Sequence, residues 1–226
     1  MSYILAIETS TRNCSVAIFK DFNLLALKEE ITQEYSHSEQ LTVYIKEVFQ
    51  KININIDKLC AVAVSKGPGS YTGLRIGVST AKGICYGLDI PLLSISTLQA
   101  MSLSMQKQKK ADLYCPMIDA RRMEVYSAFY NSNNKLIRRV QADIINKDSY
   151  KTELTNKVIF FGDNIQKCEL EIKHPNALFV DNFFPSAKDF SPLIKESFIH
   201  NRYENLAYFE PFYLKDFVSS NRKKET

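Results

Sequence analysis

The chain has 226 residues, 45% of them hydrophobic and 24% charged, a balance that argues against a disordered or fibrous polymer and allows one large or two small globular domains. Its net charge of +4, from 29 basic and 25 acidic side chains, permits nucleic-acid contact but does not argue for it, because a binding face needs clustered charge. Five cysteines (Cys14, Cys60, Cys85, Cys115, Cys168), odd in number and without a Cys-x-x-Cys pair, argue against a disulfide framework or a zinc ribbon and predict reduced thiols in the cytoplasm. The opening "MSYILAIETS" has no basic stretch followed by a long apolar one, so no signal peptide is expected. No apolar run approaches the length of a membrane span.

In chain order, Ile4–Ile7 and Ser15–Phe19 are short apolar runs around the polar "ETSTRN" and predict a β-hairpin. Leu24–Ile31, with Leu25 and Leu27 alternating, predicts a third strand. Ser36-His37-Ser38-Glu39 has capping-box spacing, and Leu41, Tyr44, Ile45, Val48 and Phe49 form the stripe of an amphipathic helix. "LCAVAVS" reads as a buried parallel strand. The loop "SKGPGSYTGLRIG" leads into a helix from about Thr72 to Tyr86, with Gly87 expected as its C-terminal cap. "PLLSIS" predicts a strand and "TLQAMSLSMQ" a helix, so the order is βββαβαβα.

The second half begins the same order again. "LYCPMIDARRMEVYSAFY" aligns without a gap on "YILAIETSTRNCSVAIF": Ile7 meets Ile118 and Glu8 meets Asp119, each 111 positions on. "KLIRRVQ" is a candidate third strand, "KVIFFGDN" and "ALFVDNFF" later parallel strands, and "NIQKCELEI" a short helix between them. "AKDFSPLIKESF" keeps helical spacing despite Pro192. Two such α/β lobes describe the two-lobed actin-like, sugar-kinase and Hsp70 ATPase fold. Duplicated RNase H-like lobes are expected, the first at 1–108. The second, reduced, spans 109–226, with a flexible tail after about 215 that holds the basic run Arg222-Lys223-Lys224.

"ILAIETSTRNCSVAI", "HSEQL", "SKGPGSYTGLRIGVSTAKGI", "IDARRMEVY" and "EPFYL" stand in this order through most of the chain, and together they resemble the TsaB (YeaZ) family. The chain departs from some members at Tyr71, where Phe is common, and at Met123, where a small residue is common. The resemblance implies a cytoplasmic, non-catalytic scaffold for making threonylcarbamoyladenosine beside the tRNA anticodon. The implied partners are a TsaD-type catalytic subunit, a TsaE-type ATPase and, when alone, a second copy of the chain. tRNA would be met through the complex, and ATP or ADP with Mg would sit at the complex interface.

The residues themselves offer little catalytic machinery. The loop matches neither a Walker pattern nor G-x-G-x-x-G, since Gly67, Gly69 and Gly73 are spaced G-x-G-x-x-x-G. Active ATPases of this fold carry Asp-x-Gly-Thr/Ser in the first hairpin, where this chain has Glu8-Thr9-Ser10-Thr11, without the glycine that lets phosphate approach. Glu8 could hold a hydrated Mg²⁺, or bond with Thr9 across the turn. Glu8, Thr9, Ser10, Gly69, Asp119 and Arg121 are therefore the candidate phosphate-cleft residues. His37, His174 and His200 are too far apart in sequence to form a metal pair on one helix, and no catalytic or metal-ligating residue is assigned. An active ATPase or small-molecule kinase of the same fold is the competing function.

Six of the chain's 7 glycines lie between 67 and 87, in a segment where each helical glycine costs about 1 kcal/mol relative to alanine. Leu74, Val78, Ala81, Cys85 and Leu88 should pack on the sheet, while Gly73, Gly77, Thr80 and Ile84 form a second, small-residue side. That side either packs within its own lobe or, with the preceding helix, meets a partner. The family resemblance implies the second, with His37, Leu41, Tyr44, Gly73, Arg75, Gly77, Thr80 and Ile84 as interface candidates.

Overall fold

A computed structural model describes residues 2–32 and 37–215. Strands β1 (Tyr3–Glu8), β2 (Asn13–Lys20), β3 (Asn23–Ile31), β4 (Leu59–Gly67) and β5 (Leu92–Ser96) form the first sheet in the order β3-β2-β1-β4-β5. The hairpins are antiparallel, and β1, β4 and β5 run parallel. The second sheet contains β6 (Leu113–Asp119), β7 (Glu124–Asn131), β8 (Leu136–Ile144), β9 (Val158–Gly162) and β10 (Ala177–Val180), in the order β10-β9-β6-β7-β8. Read from the other edge, this is the topology of the first sheet. β2 and β7 begin and end 111 positions apart, as the sequence alignment requires.

Apolar stripes dictate which faces are covered. Helix α1 (His37–Ile52) buries Leu41, Tyr44, Ile45, Val48 and Phe49, and α2 (Tyr71–Leu88) buries Leu74, Val78, Ala81 and Cys85, on one face of the first sheet. Each Leu, Ile, Val and Phe side chain so buried stabilises the fold by about 1.5–3 kcal/mol. Helix α3 (Thr97–Gln108) follows β5 in sequence, yet its Leu98, Met101 and Met105 pack on Tyr114, Ala128 and Phe161 of the second sheet. Conversely, Ala187 and Phe190 of a 3-10 turn, with Leu193 and Ile194 of α5 (Ser191–Ile199), cover the other face of the first sheet. Residues 204–213 then run along the first lobe, where Phe212 N–H donates to the Lys66 carbonyl at 2.7 Å. A lobe in space is therefore not a continuous half of the sequence. Helix α4 (Gln166–Glu171) backs the outer face of the second sheet.

Two local expectations change, and two others lie outside the described residues. Ser36, the expected start of the capping box, lies outside the described residues, as does the Arg222–Lys224 run. Gly87 remains helical; the left-handed cap after α2 is Asp89, at φ 53°, a conformation that Asp tolerates because its short polar side chain can bond locally. In β3 it is Ala26 that faces the core, while Leu25 is exposed. Pro192 sits in the first turn of α5, where a missing N–H costs nothing.

Candidate functional site

The glycine loop between β4 and α2 folds directly onto the first hairpin turn. Ser10 accepts from Ser70 N–H at 2.7 Å, and Thr9 Oγ1 donates to the Gly73 carbonyl at 2.8 Å. Ser70 caps α2 through its hydroxyl, which accepts from Gly73 N–H at 3.2 Å. A Cβ at position 69 would lie 2.4 Å from the Ser10 carbonyl oxygen, one at 73 would lie 2.2 Å from that of Thr9, and one at 77 would lie 2.3 Å from Thr9 Oγ1. These three glycines are thus required by the chain's own hairpin, and Thr9 is the element they accommodate.

This contact buries the acid end of the hairpin. Glu8, Thr9 and Ser10 are each 0% exposed. Glu8 Oε1 accepts from Ser10 N–H at 2.6 Å, while Oε2 has no hydrogen-bond partner among the described residues. Burial pushes the Glu8 carboxyl above the ordinary carboxylate range, against the opposing pull of its Ser10 hydrogen bonds. His37 Nε2 lies 2.7 Å from the Thr11 carbonyl, tying the start of α1 to the same turn, and burial lowers its pKa. The expected phosphate-cleft set therefore separates. Glu8, Thr9, Ser10 and Gly69 form a closed packing unit without room for a phosphate, and only Asp119 and Arg121 face the space between the lobes.

That space is a cleft of about 540 Å³ lined by Arg12, Met101, Asp119, Arg121, Asp163 and Asp181, among others. Arg12 forks onto Asp163, with Nε 3.1 Å and Nη2 2.9 Å from the carboxylate, and so clamps the first hairpin to the second lobe. Burial raises the Asp163 pKa although Arg12 opposes it. Asp119 pairs with Lys167 and accepts from Arg121 N–H at 3.0 Å. Asp181 accepts from Ile165 N–H at 3.1 Å and Gln166 Nε2 at 3.0 Å. Three carboxylates, each already engaged by the chain's own donors, do not fit a triphosphate. Arg12, Asp163 and Asp181 were missing from the sequence-based set. The signal for the last two was an Asp directly after each apolar run, in "FFGD" and "FVD".

The interface candidates also divide. His37, Leu41, Tyr44, Gly73 and Gly77 are buried in this chain's own core, because the α1 stripe faces the sheet and the two glycines face Thr9. Arg75 is exposed, stacks 4.2 Å from the Tyr71 ring centroid and donates to Tyr213 Oη at 3.2 Å. Thr80 and Ile84 are half-buried. The outer surface of α2 instead contains Gly83 and Gly87, where an added Cβ would meet nothing within 4 Å, and Tyr86, 84% exposed. Among the thiols, burial pushes Cys14 up to about 12 and Cys85 and Cys168 to about 11, which keeps them protonated and weakly nucleophilic.

Duplicated RNase H-like lobes with a cleft between them define a protein of the two-lobed actin-like class. The family model described as "TsaD: tRNA N6-adenosine threonylcarbamoyltransferase" matches residues 30–217. The TsaB protein of Buchnera aphidicola subsp. Schizaphis graminum is 34% identical over 199 residues, 84% of this chain and 92% of that protein. The TsaB of Escherichia coli is 28% identical over 223 residues, 96% of each chain. A crystal structure described as YeaZ from Pseudomonas aeruginosa superposes with a TM-score of 0.83 at 23% identity, over 95% of this chain and all of that one, and so shares the fold. The chain belongs to the TsaB family, the family of tRNA threonylcarbamoyladenosine biosynthesis.

Proposed function

We propose that this chain is a non-catalytic scaffold subunit that heterodimerises with a TsaD-type enzyme and activates it for threonylcarbamoylation of tRNA. The observation that carries this reading is the outer face of α2. Gly69, Gly73 and Gly77 are explained by Thr9 and Ser10, but Gly83 and Gly87 abut nothing in the chain, and each weakens an exposed helix by about 1 kcal/mol relative to alanine. A flat, glycine-bearing helix face lets a partner's backbone approach closely. Tyr86, on the same helix, is 84% exposed, and Val43 on α1 is 49% exposed, adding apolar area to the outer faces of the two helices.

In this reading the partner surface is the outer face of α1 and α2, including Arg75, Thr80 and Ile84. The same face pairs two copies of the chain when the partner is absent. A TsaE-type ATPase joins the complex in the cytoplasm, and ATP or ADP with Mg belongs at the junction between subunits rather than in the 540 Å³ cleft. No helix among the described residues is long and apolar enough to cross a membrane. The test is Gly83→Leu, alone and with Gly87→Leu. The variants should fold with undiminished thermal stability, fail to co-elute with the TsaD-type partner in size exclusion, and fail to support modified-adenosine formation in a reconstitution with TsaE-type protein and tRNA. Retained co-elution of a folded double variant would remove the docking reading.

A further inference from the structure

The second sheet is electrically polarised. Its three parallel strands, β6, β9 and β10, end at or just before an aspartate: Asp119 closes β6, and Asp163 and Asp181 follow β9 and β10. Each also begins just after lysine: Lys109-Lys110 before β6, Lys157 before β9 and Lys173 before β10. Lys107, in the last turn of α3, and Lys135, before β8, extend the row to both sides of the β6–β7 hairpin. Hydrogen bonds show that these residues share one rim. Leu113 N–H donates to the Lys157 carbonyl at 3.1 Å, Val158 N–H to that of Asn176 at 2.9 Å, and Asn131 N–H to that of Lys135 at 3.0 Å. Gln106, beside Lys107, donates to the Asn131 carbonyl at 3.1 Å. Neighbouring strands lie about 5 Å apart, so the lysines follow one another along the rim at strand spacing.

The two ends of the sheet differ in how their charge is satisfied. The acids face the cleft, where Asp163 pairs with Arg12 and Asp119 with Lys167. All six lysines are exposed, and none makes an ion pair or a side-chain hydrogen bond among the described residues. The rim also holds Asp112, which stays anionic while accepting from Lys157 N–H at 2.9 Å, and Lys107 interacts with the Asp189 carboxylate; the six lysines outnumber these two acids, and Glu153 lies 3.6 Å from Arg138. A line of exposed lysines in excess of the nearby acids, with Asp119, Asp163 and Asp181 at the far end of the sheet, fits a repeating polyanion. It carries no base-reading geometry, because lysine ammonium groups position a phosphate backbone without specifying sequence.

We infer that the rim formed by Lys107, Lys109, Lys110, Lys135, Lys157 and Lys173 is a docking surface for the RNA phosphate backbone. It places the tRNA on the second lobe, away from the α1–α2 face. The inference rests on the scaffold reading above, for which tRNA is the substrate of the complex. The experiment uses the full chain, alone and with the TsaD-type partner, and an unmodified tRNA transcript followed by fluorescence anisotropy over a salt series. The triple variant Lys109→Ala/Lys110→Ala/Lys157→Ala should bind the transcript at least about tenfold more weakly. Its slope of log affinity against log salt should be shallower by about 2 to 3, because each lost phosphate contact removes somewhat less than one unit. Its melting temperature and its co-elution with the partner should be unchanged. Equal affinity and slope for wild type and variant would overturn the inference while leaving the scaffold reading intact. So would absence of tRNA binding by the wild-type chain and its complex at low salt, or a loss confined to binding of anionic phospholipid vesicles. If the wild-type chain fails to co-elute with the partner, the scaffold reading falls, and the anisotropy of the chain alone still decides the rim.

Discussion

The two hairpins occupy the same place in two copies of one topology and have opposite fates. The first, between β1 and β2, is sealed by the glycine loop, and its Glu8 is buried with one oxygen unpartnered. The second, between β6 and β7, stands in solvent at the cleft mouth, with Arg121 and Arg122 at φ 69° and 50°. The loop after β9, "GDNIQK", carries Gly162 alone where the loop after β4 carries three glycines. Gly162 approaches the Met117 carbonyl near the end of β6, and the second turn beyond it is held by a side chain instead, Lys167 Nζ donating to the Arg122 and Glu124 carbonyls at 2.7 and 2.8 Å. Closing a turn of this fold thus depends on the loop that faces it more than on the turn's own residues.

The hardest way to break the contrast is to fill the seal. Gly73→Val should lower stability by about 3 kcal/mol in urea denaturation, because its Cβ would push a backbone carbonyl 2.2 Å away rather than a flexible side chain. A loss below about 1 kcal/mol would mean that the loop does not hold the first turn closed. The clamp from that turn to the other lobe is weaker. A double-mutant cycle on Arg12→Ala and Asp163→Ala should give a coupling of about 1 kcal/mol, since the arginine is one-third exposed.

Glu8→Gln sharpens the comparison through pH. Burial holds the folded Glu8 carboxyl above its ordinary range, so the unfolded chain ionises first as pH rises. Wild-type stability should therefore fall relative to Glu8→Gln from the ordinary carboxylate range up to the raised folded pKa, and then keep a constant deficit. A difference that does not change between pH 4 and 8 would show that Glu8 is not buried in this way. The smallest effect belongs to the open turn. Arg121→Gly should stay within about 0.5 kcal/mol of wild type, as relief of a positive φ is offset by the freedom gained in the unfolded chain.

What was legible in the sequence was local or repeated. Period-two and helical apolar patterns placed both hairpins, α1 and α2, and a fixed offset of 111 placed the second lobe. What was illegible was long-range. Gly73 and Gly77 carry no mark showing that their neighbour is Thr9, more than sixty positions earlier, so the small side of α2 read equally well as an interface. The α1 stripe of Leu41 and Tyr44 marks a buried face without saying whether sheet or partner buries it. Helix α3 shows an apolar side in sequence, but nothing in "TLQAMSLSMQ" says which of two sheets will receive it.

The crossing of α3 and α5 sets a constraint on synthesis. The face of the first sheet made of Ala6, Ala17, Ala61, Ala63, Leu93 and Ile95 is capped by Phe190, Leu193 and Ile194, which leave the ribosome about a hundred residues after the last strand of that sheet. Until then a nascent chain with all five first-sheet strands translated has this wall covered only in part, by Ala100 and Leu103 of α3, and the rest is the kind of surface that recruits chaperones or sticks to its neighbours. Truncation anywhere between α3 and residue 190 leaves that wall only partly covered for good.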